Sequence, residues 1–248
     1  MTNTYSTSEV AQIIGLHPNT IRLYEEWEWI PKPERQKNGY RIFTDFHLEQ
    51  LRLARTALEV EIIQSGLREM AFHIIKTSAT GDFEEAEKLT NRYLQQVEQE
   101  QKNAMEAIEI TKQLLSGSKR ETDVLCLTRK QAAEYLQVTV DTLRNWELNG
   151  LVTIKRKQNG YRIYADEDIR QLKIIRALRC ANYSLSSILR MLNELSSDPH
   201  IDIKEAIDTP EETDDIISVC DKLLTSLQQA EENAKCILVH IEALKKLI

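Results

Sequence analysis

A set of one threonine, one arginine and a Tyr-Arg pair occurs twice in this chain, in the same order and at nearly the same spacing. Arg22, two residues after Thr20, precedes a Tyr-Arg pair by 18 residues, and Arg144, two residues after Thr142, precedes another by 17. Arginine can donate two hydrogen bonds to guanine O6 and N7, and a hydroxyl group can bond to a base or a phosphate. Both sets therefore have the chemistry of nucleic-acid binding. The residues that we expect to contact DNA are His17, Asn19, Thr20, Arg22, Tyr40, Arg41, Thr139, Thr142, Arg144, Lys155, Arg156, Tyr161 and Arg162.

The histidines and cysteines show no grouping that would support catalysis or metal binding. The five histidines are scattered, and Cys126, Cys180, Cys220 and Cys236 form no Cys-x-x-Cys pair. A structural zinc site needs four ligands at short spacings, and a catalytic nucleophile needs a neighbouring base. We therefore expect no metal, no cofactor and no enzymatic activity, and we expect the cysteines to be reduced structural thiols.

Each set of candidate DNA contacts lies among signals for two short helices and a tight turn. Residues 6–9 and 128–131 are Ser/Thr-x-x-Glu/Gln capping boxes, which mark the start of a helix. Apolar residues follow at helical spacing, and Asn19 and Asp141 are predicted to cap the second helix. Helix, turn and helix within about twenty residues is typical of a helix-turn-helix, whose second helix enters the major groove.

A β-hairpin wing is predicted after each second helix. Residues 30–43 contain two prolines, which exclude a helix, and an Asn-Gly turn. Residues 151–164 contain a second Asn-Gly turn between β-compatible runs, and they predict the cleaner hairpin of the two. A further helix is expected to begin at Thr44-Asp45 and at Ala165-Asp166.

The two helix-turn-helix and wing segments are copies of each other. Corresponding residues are separated by 122 positions in the helices and by 121 in the wings. This separation is far longer than the period of solenoid repeats, which lies at about 20–50 residues. We therefore interpret the repeat as a duplicated domain.

Two long helices have apolar residues at alternating spacings of three and four, a pattern that predicts coiled-coil seams. The first seam consists of Leu94, Val97, Gln101, Ala104, Ile108, Thr111 and Leu115, and the second of Ile216, Cys220, Leu223, Leu227, Ala230, Ala234, Ile237, Ile241, Leu244 and Ile248.

The predicted fold is mainly α with small β-hairpin wings, and it comprises two winged helix-turn-helix modules and two long coiled-coil helices. The expected divisions are a first module at 1–80, a first coil helix at 81–117, a linker at 118–126, a second module at 127–195, a connector at 196–215 and a second coil helix at 216–248.

Composition and charge fit a cytoplasmic globular protein with one basic module. Of 248 residues, 42% are hydrophobic and 29% are charged, and no apolar run is long enough for a membrane span. The net charge is −7, but residues 125–180 hold 11 basic and 6 acidic side chains, whereas residues 194–248 hold 5 and 13. A basic module beside an acidic helical segment favours a nucleic-acid binder with a separate assembly element.

Both copies resemble the MerR family of bacterial regulators. The resemblance is carried by Thr20-Ile21-Arg22-Leu23-Tyr24-Glu25, Arg35, Gly39-Tyr40-Arg41-Ile42-Phe43 and Leu51, and again by Thr142-Leu143-Arg144-Asn145-Trp146-Glu147, Gly150-Leu151-Val152, Arg156, Gly160-Tyr161-Arg162-Ile163-Tyr164, Asp168, Leu172 and Tyr183-Ser184-Leu185-Ser186-Ser187-Ile188. It implies a dimer held by an antiparallel coiled coil, and a regulator that distorts promoter DNA so that RNA polymerase can engage it.

The sequence departs from the family pattern at several places. Glu28, with Trp27 and Trp29 beside it, stands where the family has glycine, and Trp146 replaces the usual tyrosine. The family has one module per chain, whereas this chain has two. No sensor domain follows the second coil helix, and the metal-binding cysteine loop of the family is missing. These departures make the second module the better preserved DNA-binding module.

Some candidate residues also have an ordinary structural interpretation. Arg22 and Arg144 could pair with the glutamate three residues later instead of DNA. Tyr24 and Trp146 fit a core position better than base stacking. The cationic cluster at 155–157 could be a solvated loop.

About a dozen residues separate Leu115 from Leu127, and they can span at most roughly 40 Å, which is enough for the two coil helices to pair within one chain. We therefore expect a pseudo-twofold dimer in one polypeptide; the alternative is pairing between chains, which gives an assembly of four modules. The two reading helices differ in sequence, so a pseudodimer should prefer two unequal half-sites, because operator symmetry mirrors protein symmetry.

Three functions remain as alternatives. The leading one is a transcriptional regulator whose partners are double-stranded DNA, RNA polymerase and a small-molecule effector. The second is an architectural or recombination accessory protein. The third is a ligand-binding regulator with a degenerate first DNA head, in which Trp27, Trp29 and Tyr93 form a pocket.

Overall fold

The computed structural model describes residues 3–59, 66–115, 126–156, 160–181, 183–197 and 216–247. In chain order the elements are β1 (Thr4–Tyr5), α1 (Thr7–Ile14), α2 (Pro18–Glu26), β2 (Glu34–Arg35), β3 (Arg41–Thr44), α3 (Asp45–Leu58), α4 (Leu67–Ala79), α5 (Phe83–Leu115), β4 (Cys126–Leu127), α6 (Arg129–Tyr135), α7 (Val140–Leu148), β5 (Tyr164–Ala165), α8 (Asp166–Cys180), α9 (Leu185–Ser197) and α10 (Ile216–Lys245). This confirms the predicted mainly helical class with small antiparallel strand pairs.

The chain forms two units, and each combines segments that are distant in sequence. The first unit comprises Met1–Gln99 and Ser226–Ile248, and the second comprises Glu100–Thr225. The first unit therefore holds α1–α4, the first half of α5 and the C-terminal part of α10. The second unit holds the second half of α5, α6–α9 and the start of α10.

The capping boxes begin α1 and α6 as predicted. The backbone N–H of Ser6 donates to Glu9 Oε2 at 2.7 Å, and that of Thr128 donates to Gln131 Oε1 at 3.0 Å. The side-chain oxygens of Ser6 and Thr128 accept from the backbone N–H three residues later. Each box therefore satisfies two backbone donors that the first helical turn cannot pair.

The predicted caps of the second helices are wrong by two residues. α2 is capped by His17, whose Nδ1 accepts from the Asn19 backbone N–H at 3.2 Å. Pro18 then occupies the first helical position, where its fixed φ and its missing N–H favour a helix start. α7 is capped by Thr139, whose Oγ1 accepts from the Thr142 N–H at 3.0 Å. Asn19 and Asp141 consequently lie inside the first turn.

The wings differ between the units. In the first unit, β1, β3 and β2 form a three-stranded antiparallel sheet in that order, with Tyr5 opposite Phe43 and Glu34 opposite Ile42. In the second unit, β4 pairs with β5, and a single bridge joins Arg156 to Arg162. Residues 157–159, including the predicted Asn-Gly turn, lie outside the described part. Within the described residues the first wing has the longer ladder, contrary to the expectation of a cleaner second hairpin, since Pro31 and Pro33 precede β2 and leave its hydrogen bonds intact.

Each unit has its own apolar core. The side chains of Val10, Ile21, Phe43 and Leu51 are fully buried in the first unit, and those of Leu143, Tyr164 and Leu172 in the second. The predicted helical spacing therefore placed the core faces of these helices correctly.

The coil seams are buried as predicted wherever the structure describes their side chains. On α5, Val97, Ala104, Ile108 and Thr111 are buried, whereas Leu94 and Gln101 are half-buried. On α10, the buried residues are Leu223, Leu227, Ala230, Ala234, Ile237, Ile241 and Leu244. The side chains of Leu115, Ile216 and Cys220 lie outside the described part, as does Ile248.

No helix in the described ranges is both long and apolar enough to cross a membrane. Nor do Cys126, Cys180 or Cys236 form a disulfide; Cys180 is buried, and the other two are exposed.

Candidate nucleic-acid interface

The exposed face of α2 carries most of the predicted DNA contacts of the first module. His17, Asn19 and Arg22 are exposed, and Thr20 is half-buried. Arg22 Nη1 donates to Asn19 Oδ1 at 3.1 Å, so two predicted base contacts are held together. The opposite face buries Ile21, which anchors the helix to the core.

α7 presents a corresponding face in the second unit. Thr139 and Arg144 are exposed, and Thr142 is half-buried. The hydroxyl oxygens of Thr139 and Thr142 lie 2.8 Å apart. Arg144 makes no hydrogen bond or ion pair with any other residue that the structure describes. Its guanidinium therefore has no competing partner in the described protein.

The alternative in which the helix arginines pair with the glutamate three residues later does not occur. Glu25 instead accepts from Arg41 Nε on the wing, and Arg35 Nη2 lies 3.5 Å from Glu25 Oε1. In the second unit, Arg162 Nε lies 2.6 Å from Glu147 Oε2. The wing arginines are therefore ion-paired to the reading helices. A wing arginine that is fixed in this way can still place its wing beside the DNA backbone.

Glu147 is the centre of a partly buried network. Arg129 Nη2 donates to both carboxylate oxygens at 2.9 and 2.7 Å, and the Tyr164 hydroxyl donates to Oε1. Burial opposes ionisation of Glu147, but the hydrogen bonds from Tyr164 and Arg129, and the charges of Arg129 and Arg162, lower the pKa of its carboxyl. Burial and the hydrogen bond to Glu147 raise the pKa of Tyr164 to about 12. The network is therefore ionised at Glu147 and neutral at Tyr164 near pH 7.

The wing tips expose two tyrosines at corresponding positions. Tyr40 is 71% exposed and Tyr161 is 73% exposed, which is unusual for aromatic side chains in a folded protein. Lys155 and Arg156 are also exposed on the second wing. Hydroxyl and cationic groups at such positions suit phosphate contacts, which orient a module on DNA without reading its sequence. Their contact with DNA stays a prediction.

Tyr24 and Trp146 are core residues. Tyr24 is 7% exposed and Trp146 is 4% exposed, so the structural interpretation of both is confirmed.

The turn after each reading helix needs a left-handed residue. Glu28 has φ of 60° and Gly150, at the corresponding position, has φ of 75°. The family-like glycine is therefore kept in the second module, whereas the first module holds the same conformation with a side chain that disfavours it.

Sequence reasoning missed a pair of glutamines that join each third helix to this turn. Gln50 Nε2 donates to the Trp29 carbonyl at 3.0 Å, and Gln171 Nε2 donates to the Leu151 carbonyl at 2.8 Å. The signal was available, because both glutamines occur in apolar helices at the repeat separation of 121. A polar residue repeated inside a core-facing helix indicates a shared internal bond.

The three aromatic residues predicted to form a pocket do line one cavity. Trp27, Trp29 and Tyr93 border a cavity of about 540 Å³ in the first unit. By contrast, no cluster of three or more His, Cys, Asp or Glu side chains suited to a metal ion occurs among the described residues.

Two helix pairs, each followed by a wing whose arginine is tied to the second helix, define the class of winged helix-turn-helix proteins. The family model for the MerR HTH family of regulatory proteins matches residues 5–70 and 127–195, together more than half of the chain. The chain therefore belongs to the MerR HTH family, and it carries two of its modules.

Curated relatives agree with this assignment. The chain is 47% identical over 53 residues to the transcriptional regulator CueR of Escherichia coli O6:H1, which covers 21% of this chain and 39% of CueR. It is 41% identical over 63 residues to CueR of Yersinia pestis, covering 25% and 45%. It is 29% identical over 66 residues to ZntR of Escherichia coli K12, covering 27% and 47%. The matches thus span less than half the length of each of these relatives. No solved structure matches the chain significantly.

Proposed function

We propose that the protein is a DNA-binding transcriptional regulator that acts as a single-chain pseudodimer on an asymmetric operator. The observation that carries this proposal is an exchange of coil segments. The helix that follows each module contributes its C-terminal part to the unit built around the other module.

The second unit provides one half of this argument. α5 follows the first module, yet its Glu100 accepts from both Nη atoms of Arg176 on α8, at 2.7 Å each. Glu100 is 1% exposed and the Arg176 side chain is 11% exposed, so the pair is shielded from water. Lys173 Nζ on α8 lies 2.5 Å from Oε1 of Glu106, which is on α5 like Glu100. A buried bidentate pair is costly to break, because either charge alone would remain unpaired.

The first unit provides the other half. α10 follows the second module, yet His240 Nδ1 lies 2.7 Å from Glu49 Oε1 on α3. Lys245 also contacts Glu87 near the start of α5. The buried seam residues Ile237 and Ile241 belong to the same segment of α10. Each unit is completed by a segment of the same polypeptide, so neither unit requires a second chain for its coil.

A pseudodimer can evolve two different reading helices. The first presents His17, Asn19 and Arg22, and the second presents Thr139, Thr142 and Arg144. Because each half-site is read by a different set of donors, we expect an operator with two unequal halves. In line with the resemblance to MerR regulators, we propose that binding distorts promoter DNA, with RNA polymerase as the partner at that promoter.

The assembly is tested by sedimentation of the full chain at low concentration. We expect the mass of one chain, free and on DNA. A stable two-chain species at low concentration would favour pairing between chains and overturn the pseudodimer.

DNA reading is tested by selection from a random duplex pool, followed by Arg22→Ala and Arg144→Ala separately. Each variant should relax one half-site and weaken binding about tenfold, as expected for loss of one specific arginine contact. Arg92→Ala, an exposed arginine on α5, is the matched control and should leave the selected sequence unchanged. Perfect palindromes from the selection would contradict an asymmetric operator.

A further inference from the structure

The cavity in the first unit has walls made mostly of aromatic rings. Trp27 and Trp29 have ring centres 4.8 Å apart, and Trp29 stacks on Phe72 at 5.5 Å with an interplanar angle of 24°. Tyr24 meets Trp29 edge-on at 4.9 Å, and Tyr93 completes the lining. The volume of about 540 Å³ falls within the range of small-molecule sites. Flat apolar walls of this kind favour a planar ligand.

The described part of the lining carries one positive charge. Among the described residues that border the cavity, Arg68 is the only charged side chain, and its guanidinium carbon lies 5.7 Å from the centre of the Phe72 ring. Burial raises the pKa of Tyr93 to about 12 and also raises the pKa of Tyr24, so both phenols are neutral near pH 7. Among these described residues a cationic ligand would therefore find no counter-charge, whereas a carboxylate would find a bidentate partner.

Part of the cavity lining differs between the two modules. Asn149 and Leu151 occupy the positions of Trp27 and Trp29. The small Ala57 corresponds to Leu178, which is buried in the core of the second unit. The two tryptophans and the small alanine thus occur together in one module only, as a dedicated site would require.

We propose that this cavity binds a planar aromatic monocarboxylate, with its ring against the aromatic side chains and its carboxylate on Arg68. Thr20 and Tyr24 belong to both the cavity lining and α2. A bound ligand would therefore contact the helix that carries the candidate DNA contacts of the first module. The binding itself does not depend on the proposed DNA function and can be measured without DNA.

Isothermal titration calorimetry of the full chain with three probes of the same ring tests the proposal. The probes are 2-naphthoate, the neutral 2-naphthamide and the cationic 2-naphthylmethylammonium. We expect one naphthoate per chain, bound about tenfold more tightly than the amide, because a charge-assisted bidentate contact adds to stacking. The ammonium probe should bind most weakly.

Three variants assign the binding to this cavity. Arg68→Gln should abolish the preference for naphthoate while leaving the affinity for the amide within about twofold, since stacking is retained. Trp27→Asn, which introduces the residue of the second module at a side chain that is 46% exposed, should weaken both probes. Arg92→Gln removes an exposed arginine that does not border the cavity, and it should change neither affinity.

Melting curves from circular dichroism establish that each variant is folded. The proposal is overturned if no probe binds, if the ammonium probe binds best, or if Arg68→Gln leaves the preference for naphthoate intact. Loss of DNA binding in an otherwise ligand-competent protein would leave this site standing and would count against the proposed function alone.

Discussion

The central carboxylate of the second module has more partners than that of the first. Glu25 has two arginine partners, Arg41 and Arg35, and the Arg35 side chain is 46% exposed. The corresponding Glu147 has Arg162, Arg129 and the buried Tyr164. The repeat therefore preserves the acceptor and one wing arginine, Arg41 or Arg162, and varies the other donors. The number of partners of this carboxylate can thus differ between modules that share the same fold.

The left-handed turn residues also differ between the modules, because glycine occupies the first turn in one module and the second turn in the other. In the first module Gly15 follows α1 and Glu28 follows α2, whereas in the second module Gln137 and Gly150 occupy these positions. All four residues have positive φ, from 53° to 75°. The fold dictates the conformation at both turns, and each module satisfies one turn with glycine and tolerates strain at the other.

The largest effect should come from removing the central carboxylates. Glu147→Gln is expected to lower the free energy of unfolding of the second unit by about 2–3 kcal/mol, because it leaves two arginines without their counter-charge. Glu25→Gln should cost the first unit about 1 kcal/mol, since its partners are fewer and one is well exposed. Urea denaturation can separate the units, because Trp146 reports the second and Trp27 with Trp29 report the first. Equal losses of unfolding free energy would contradict the difference between Glu147 and Glu25.

A smaller effect is expected at the left-handed turns. Gly150→Ala should destabilise the second unit by about 1–2 kcal/mol, because a methyl group there meets no atom within 4 Å and only the positive φ opposes it. Glu28→Gly should stabilise the first unit by about 0.5–1 kcal/mol, partly offset by the greater freedom of glycine in the unfolded chain. Thermal unfolding of both variants measures these changes in the free energy of unfolding. Opposite signs are required; destabilisation by Glu28→Gly would show that this side chain makes contacts that outweigh its strain.

The smallest effect should be the pH dependence of the Glu147 network. The folded state lowers the pKa of Glu147 below its ordinary value of 4.5, so its ionised form contributes its full stability above that pH. The contribution is lost as the pH falls through the folded pKa. The difference in unfolding free energy between the native chain and Glu147→Gln should therefore shrink below about pH 4.5. A difference that stays constant from pH 7 to pH 3 would be inconsistent with this role.

The features that could be predicted from sequence depend on local signals. The capping boxes at Ser6 and Thr128 and the buried spacing from Leu223 to Leu244 involve residues a few positions apart, and the structure confirms them. The cap at His17 was missed, because Asn19 is the better N-cap by type and the effect of Pro18 was not weighed.

Long-range partners could not be read from residue types. Glu100 and Arg176 are separated by 76 residues, and each would be an ordinary surface residue on an isolated helix. Similarly, Glu25 could reach either Arg22 on its own helix or Arg41 on the wing, and only the tertiary fold decides between them. The cavity was anticipated from Trp27, Trp29 and Tyr93, but the contribution of Arg68 required the packing of α4.

The division of the chain into units has a consequence for biosynthesis. The second unit ends at Thr225, whereas the first unit needs Ser226–Ile248, which is translated after the whole of the second unit. The unit whose synthesis begins first is therefore completed after the other. Until then, the surface around Ile74 and Tyr93 lacks the neighbouring α10 residues Ala230, Ala234 and Ile237. Truncated chains from interrupted translation would thus carry a finished second unit and an unfinished first one.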